Sequence, residues 1–411
     1  MVTKANHRQG TGASSGRPPR GLIARAAIGT IRLALVIIAL LVALVAALVL
    51  VPSLQRGLVY MHWVNFPFGD LDPVAFGFRD DTSRSFSVTT ADNVKLHGWH
   101  LVSAPAASTG LRAKAPLARG SGANTTDEAT FTVGPHDTVL VYYHGNAGNI
   151  AVRHRRHFYR AAMAAADRAA RMASTSSATT GVGRVHLLTA DYRGFGRSGK
   201  APSGSPDELG LRADARAVWS YVVSPTVGAR ADQVVVIGHS LGTGVAANLL
   251  SARSDDPKSP QNARGLILLA PYTSIPDAAL EYPYVPLGKL LGGRTSPAAL
   301  WLRSHVTEKW ETQAQAVPHI RCPLLLVHGA RDGVVHAHHS RALWAQIVGP
   351  VDEEDEKRTV VGRTEGVVLD ARHVAHGQGV TLAEITHGGH DDLHEFAVVR
   401  DVMAHWLAQQ L

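Results

Sequence analysis

Residues 234–244 read "VVVIGHSLGTG", four β-branched residues running directly into Gly-His-Ser-Leu-Gly. An uninterrupted run such as "VVVI" is the pattern of a strand buried on both faces. The segment that follows, "TGVAANLLSAR", has the small and apolar residues of a closely packed helix. A sharp turn between such a strand and such a helix lifts a serine hydroxyl out of the sheet, and it admits only residues without bulk beside the serine. Gly238 and Gly242 are therefore expected to make room, and Ser240 is expected to be a nucleophile.

Working outward, the same rhythm repeats. "SFSVTT" and "VKLHGWHLV" suggest a hairpin, and "TVLVYYHG", "RVHLLTADYRG", "GLILLAPY", "PLLLVHGARD" and "VTLAEITHGGH" suggest strands. Helical patterns such as "VRHRRHFYRAAMAAADRAARMA" and "DELGLRADARAVWSYVV" lie between them, and "EFAVVRDVMAHWLAQQL" closes the chain. Strands alternating with helices predict an α/β domain over residues 53–411, with a mostly parallel central sheet covered by helices on both faces. About 272–318 is expected to form a small helical lid. Stretches at about 104–137, 172–183 and 350–380 break the rhythm and are read as poorly ordered loop insertions without chemistry.

A serine becomes a nucleophile only with a base, and the base needs a third group to orient it. In an open α/β sheet these groups lie at the carboxyl ends of strands. "PLLLVHGARD" brings Asp332 to one such end, and "ITHGGHDD" brings His390 to another. The order Ser240, Asp332, His390 is the one used by the α/β-hydrolase fold. Asp277 and Asp391 are alternative acids, and His387 and His394 alternative bases. His390 is preferred because Gly388-Gly389 should turn the loop sharply toward the serine, whereas His387 follows the strand closely and His394 should ride on the last helix, if Asp391 or Asp392 caps it. "HGNAGN" at 144–149, with His144 and Gly145, closes an earlier strand. The backbone N–H groups of Asn146 and Leu241 are expected to form an oxyanion hole. His239 is read as a pocket residue, Arg193 as structural and Cys322, the single cysteine, as a buried thiol. The His387, His390, Asp391, His394 cluster lacks the order of a zinc protease, so neither metal nor cofactor is expected.

The amino-terminal region has its own logic. Residues 1–20 are polar, basic and rich in Gly, Ser and Pro, and are expected to be disordered. Leu33 to Val51 is an unbroken run of 19 apolar residues, about 28 Å as a helix and close to the thickness of a bilayer core. With its flanks it predicts an uncleaved transmembrane signal anchor over 26–52. Lys4, Arg8, Arg17, Arg20, Arg25 and Arg32 precede it without any acidic residue, which predicts a cytoplasmic amino terminus and a lumenal catalytic domain. These residues carry part of the net charge of +8, so nucleic acid is not expected as a partner. Asn124-Thr125-Thr126 is a glycosylation acceptor pattern, consistent with that orientation. "LVYMHWVNFPFG" at 58–69 suits either a membrane surface or packing on the domain.

Four motifs, "HGNAGN", "DYRGFGRSG" at 191–199, "GHSLGTGVA" at 238–246 and "HGARDGVV" at 328–335, resemble those of the membrane-anchored α/β-hydrolase-domain lipases, the monoacylglycerol and lysophosphatidylserine lipase group of the endoplasmic reticulum. "LLAPYTSIPDAALEYP" at 268–283 is similar in style. Arg331 and His336 depart from that pattern, where an acidic residue and a proline are more usual. The resemblance implies a serine esterase acting on single-chain lipids, lysophospholipids or monoacylglycerols, without metal or organic cofactor, in the membrane of the endoplasmic reticulum. The same triad also serves peptidases and protein deacylases. The reading from a different class is an inactive membrane tether that binds lipid or protein.

Overall fold

The computed structural model describes residues 25, 28–37, 39–40, 50–103, 131–176, 183–251, 256–282, 287–349, 360–364, 366–373 and 379–411. It divides into two units, Met1–Val51 and Pro52–Leu411. In the first, residues 28–37 and 39–40 are helical. The rest of the 33–51 apolar run, apart from its last two residues, lies outside the described residues, as do 1–20 and Asn124. Among the described residues no helix is long and apolar enough to cross a membrane.

The second unit is built on ten strands. They are β1 Ser83–Thr89, β2 Lys95–Val102, β3 Thr138–Tyr143, β4 Val185–Ala190, β5 Val234–His239, β6 Gly265–Leu269, β7 Leu324–Gly329, β8 Val360–Thr364, β9 Val367–His373 and β10 Gly379–Ile385. Their order in the sheet is β1-β2-β4-β3-β5-β6-β7-β10-β9-β8. The six strands from β4 to β10 in that order pair in parallel, and the pairs β1–β2, β2–β4, β10–β9 and β9–β8 are antiparallel. This is the α/β-hydrolase fold, with a hairpin added at its far edge.

The side chains of the central strands divide by their period of two. Val234 and Val236 of β5 face the apolar layer of helices Glu208–Val222 and Leu241–Ser251, whereas Val235 and Ile237 face that of Arg153–Ser176 and Ala397–Ala408. Both faces being covered, these strands are continuous apolar runs instead of alternating ones. The chain leaves β3 toward β4 on one side and returns to β5 on the other. The crevice between the ends of β3 and β5 is thus the point where strand order reverses, where ligands bind in open α/β sheets.

Arg193 ties the β4 exit loop to its surroundings. Its guanidinium donates to Asp214 at 2.9 Å and to Asp92 at 2.6 Å, and its backbone N–H donates to Asp214 at 2.8 Å.

Two of the expected loop insertions are corrected. The helix Arg153–Ser176 runs through the start of the 172–183 stretch. More substantially, β8 and β9 fall within 350–380, joined at Gly366, whose φ of +87° is the left-handed conformation of a tight turn. A hairpin laid on a sheet edge needs no long apolar run, so its charged and β-branched residues show no strong period.

The 58–69 segment packs on the domain through one side only. Helix Pro52–Tyr60 ends in a fully buried Tyr60, whose hydroxyl lies 2.5 Å from Glu308 and accepts a hydrogen bond from Trp310 Nε1. Arg56 bonds the same carboxylate at 2.7 Å. Trp63, Phe66 and Phe68 remain exposed. In the expected lid lie the short helices Ile275–Leu280, Leu287–Leu290 and Pro297–His305.

Candidate active site

β5 ends at His239 and a helix begins at Leu241, which leaves Ser240 alone in the turn with a φ of +52°. That conformation is costly for a residue with a side chain and is held by its surroundings. Here the Ser240 N–H donates to Leu269 O at 3.0 Å, and the Thr243 N–H and hydroxyl both close on Ser240 O. The flanking glycines answer to space. A Cβ on Gly238 would stand 2.4 Å from Gly242 O, and one on Gly242 would stand 2.1 Å from Tyr143 O.

The structure brings Ser240, His390 and Asp332 together. His390 Nε2 lies 2.9 Å from Ser240 Oγ, and His390 Nδ1 lies 2.7 Å from Asp332 Oδ2. The other carboxylate oxygen of Asp332 accepts the N–H groups of Val334 at 2.8 Å and Val335 at 2.9 Å, so the carboxylate cannot rotate away. Burial alone would raise its pKa, but hydrogen bonds from His328 and His390 overcome this and hold it well below the usual carboxylate range. His390 shows the reverse balance. Burial of its ring lowers its pKa, yet the bond to Asp332 and the charges of Asp332, Asp391 and Asp392 raise it above the ordinary value.

The loops carrying Asp332 and His390 are knit together because β7 and β10 are parallel neighbours. Arg331 N–H donates to Gly388 O at 2.9 Å, and Gly389 N–H donates to Asp392 at 2.7 Å. Gly388 and Gly389 are absent from the left-handed region, so no special turn requires them. What the place requires is room: a Cβ on Gly329 would meet Gly388 O at 2.2 Å, and one on Gly388 would stand 3.2 Å from Gly329 Cα.

The alternatives lie elsewhere. His387 is exposed. His394 sits in the 3-10 turn Leu393–Glu395, ahead of the last helix, beside His157. The last helix has Phe396 at its amino end with no side-chain cap, so neither Asp391 nor Asp392 caps it. Asp277 accepts from Ser274 and Thr273 and pairs with Arg303. Asp391 stands 3.9 Å from His239 and 3.8 Å from His154. His239 also meets His390 O at 2.9 Å, which makes it a neighbour of the site. Cys322 is buried, with its thiol pushed up to about 12 by burial.

The "HGNAGN" loop crosses above Ser240: a Cβ on Gly145 would stand 3.3 Å from Ser240 Cβ. Ala147 N–H and Gly148 N–H are taken by Tyr60 O and Val64 O. His144 is buried, its Nδ1 2.7 Å from Gly145 O and its carbonyl accepting from Tyr192. Sequence reasoning missed the residue that organises this loop. Arg155, 2% exposed, donates to the carbonyls of Gly145, Asn146, Ala147 and Asn149 at 2.7–3.0 Å. It gathers those four oxygens around one guanidinium. In the sequence it is one arginine within "VRHRRH", and nothing there separates it from its neighbours.

A cavity of about 290 Å³ opens over Ser240 and His390, and Met61, Phe66, Val152, Tyr282 and Val334 give it apolar walls. A larger cleft of about 420 Å³ lies by Arg212, Trp219 and Lys258, away from these groups.

A family model described as "Serine aminopeptidase, S33" matches residues 184–316. The lysophosphatidylserine lipase ABHD12 of Gallus gallus is 28% identical over 302 residues, which covers 72% of this chain and 67% of that protein. Its counterpart in Danio rerio is 28% identical over 289 residues, 69% of this chain and 64% of that protein. The chain thus spans about two thirds of the length of these relatives. Among solved structures, an esterase of Pyrococcus furiosus aligns with 84% of this chain and 97% of its own, at 17% identity and a TM-score of 0.47. The resemblance carried by the four motifs therefore extends over most of the chain.

Proposed function

We propose that this chain is a serine hydrolase that cleaves carboxylic esters of single-chain lipids, lysophospholipids or monoacylglycerols. The observation that carries the reading is the continuous Ser240–His390–Asp332 hydrogen-bonded chain beneath an apolar cavity. The relatives named as lysophosphatidylserine lipases support it. Ser240 Oγ attacks the ester carbonyl as His390 Nε2 takes its proton, and Asp332 holds the imidazole in the tautomer that accepts there. The N–H groups of Leu241 and Asn146 receive the developing oxyanion, each such donor contributing about 3–4 kcal/mol in comparable enzymes. His390 then returns the proton to the leaving alcohol, and the same groups direct water at the acyl-serine.

The family model described as an aminopeptidase favours a second reading, in which an amide is cut. The apolar lining speaks for an acyl chain instead. Turnover of a medium-chain 4-nitrophenyl ester and a lysophospholipid, with none of an aminoacyl 4-nitroanilide, is the expected result. The reverse ranking would replace the lipid reading with the peptide one.

Because His390 must be neutral to act as base, activity should fall as pH drops through its pKa, and the acid limb of kcat/KM should lie above the ordinary imidazole value. Asp332→Asn removes the largest raising influence while burial remains. The limb should therefore move to lower pH, with kcat reduced about 10⁴-fold. An unchanged limb in that variant would show that another group titrates.

We place the protein in a membrane, anchored by the 26–52 segment, with a cytoplasmic amino terminus and a lumenal domain in the endoplasmic reticulum. The basic residues before Leu33 support this, as does the route of the following chain: Met61 and Phe66 line the cavity while Trp63 and Phe68 stay exposed. In sealed microsomes the domain should resist added protease until detergent opens them; digestion without detergent would invert the topology.

A further inference from the structure

Among the described residues, a cluster of metal-ligating side chains outside the triad joins the lid region to the core. Glu281 ends the helix Ile275–Leu280, and His338 and His339 open the helix His338–Val348. Glu281 Oε2 lies 2.9 Å from His338 Nε2 and 3.3 Å from His339 Nε2, and all three ligand atoms fall within 4.8 Å of one another. A tetrahedral zinc ion with arms of about 2.0–2.1 Å spaces its ligand atoms about 3.3 Å apart. The observed separations are close to that.

The buried partner points the same way. His339 is 1% exposed, and its Nε2, like that of His338, faces the Glu281 carboxylate. The opposite nitrogen, Nδ1, accepts the Thr273 N–H at 3.3 Å and lies 2.9 Å from Thr273 Oγ1, so Nε2 carries the ring proton toward Glu281, and a bound metal ion would take that proton's place. The Thr273 hydroxyl in turn donates to Asp277 at 3.2 Å. Arg294 pairs with the other oxygen, Oε1, and leaves Oε2 to the two imidazoles.

We propose that Glu281, His338 and His339 bind a divalent transition-metal ion of the zinc class, with water completing its coordination. Two imidazoles and one carboxylate suit zinc and exclude a calcium or magnesium preference. The ion ties together the two sides of the cavity mouth. Tyr282, next to Glu281, lines the cavity, and so does Val334, on the segment leading from Asp332 to the two histidines. The ion would therefore act on access to the site and take no part in the reaction. The proposal is independent of which acyl substrate is cut.

The test uses the full chain in detergent, stripped with a chelator. Calorimetric titration with ZnCl2, Co²⁺ absorption as a probe of coordination, and amide exchange of 275–282 and 334–348 are the readouts. His338 and Glu281 are the ligands to change, because removing the buried His339 risks the fold. The expected result is one Zn²⁺ more per chain than in Glu281→Gln or His338→Ala, or an affinity about tenfold or more above theirs. Wild-type protein should show a four-coordinate Co²⁺ spectrum and slower exchange of both segments with zinc. Zinc binding equal in the wild type and both variants would assign the ion elsewhere, for instance to His239, His390 and Asp391, and would overturn the proposal. So would the absence of zinc-dependent exchange in the wild type, which would make the cluster an ion pair only.

Discussion

Alanine at Ser240 removes hydrolysis, lowering kcat by about a millionfold, and leaves the fold as it is. The hydroxyl lies 2.9 Å from His390 Nε2, within reach of the base that must take its proton. The left-handed φ of +52° is as tolerable for alanine as for serine, since both carry a Cβ. The backbone bonds that hold the turn, Ser240 N–H to Leu269 O and Thr243 N–H to Ser240 O, do not involve the side chain. Far-UV circular dichroism and Tm should therefore match the wild type, while labelling by a fluorophosphonate disappears. A variant that still labels, or keeps kcat within tenfold, would remove Ser240 from the mechanism.

Loss of the base should cost almost as much. His390→Ala is expected to reduce kcat about 10⁵- to 10⁶-fold, because a serine without a proton acceptor is a weak nucleophile. His387→Ala and His394→Ala should each lose tenfold or less, about 1.4 kcal/mol of transition-state stabilisation. The geometry gives the reason. His390 bridges Ser240 and Asp332, whereas His387 faces solvent and His394 lies beside His157. Parallel kinetics on the three variants check the ranking, and a collapse in His394→Ala equal to that in His390→Ala would refute it.

The parts of this site that could be read from the chain are those where chemistry and backbone geometry coincide. Gly238, Ser240 and Gly242 are legible because two close approaches and one strained turn leave few other residues possible. The central strands are legible because burial on both faces demands continuous apolar runs. The β8–β9 hairpin was not, since an edge position makes no such demand. Gly388 and Gly389 were singled out for a turn, yet what Gly388 supplies is clearance against the Gly329 strand end. Arg155 was invisible for another reason: its role depends on carbonyl groups that only the folded loop gathers around it.

That gathering has an electrical consequence. Among the described residues Arg155 is bound by four carbonyl oxygens and by no carboxylate hydrogen bond. Its nearby buried acid, Asp191, is itself pushed up to about 7 by burial, so it supplies less than a full counter-charge near neutrality. The guanidinium's charge is therefore only partly cancelled, and it lies behind the loop that faces Ser240, in a water-poor setting where potentials carry far. Negative charge that builds on a substrate oxygen there moves toward a standing positive potential, in addition to whatever the two N–H dipoles supply. The same potential lowers the energy of an ionised Asp391 and disfavours a proton on His144. The loop is thus biased toward anions before any substrate arrives, and its field is set by a residue whose hydrogen bonds go to the loop's own carbonyls.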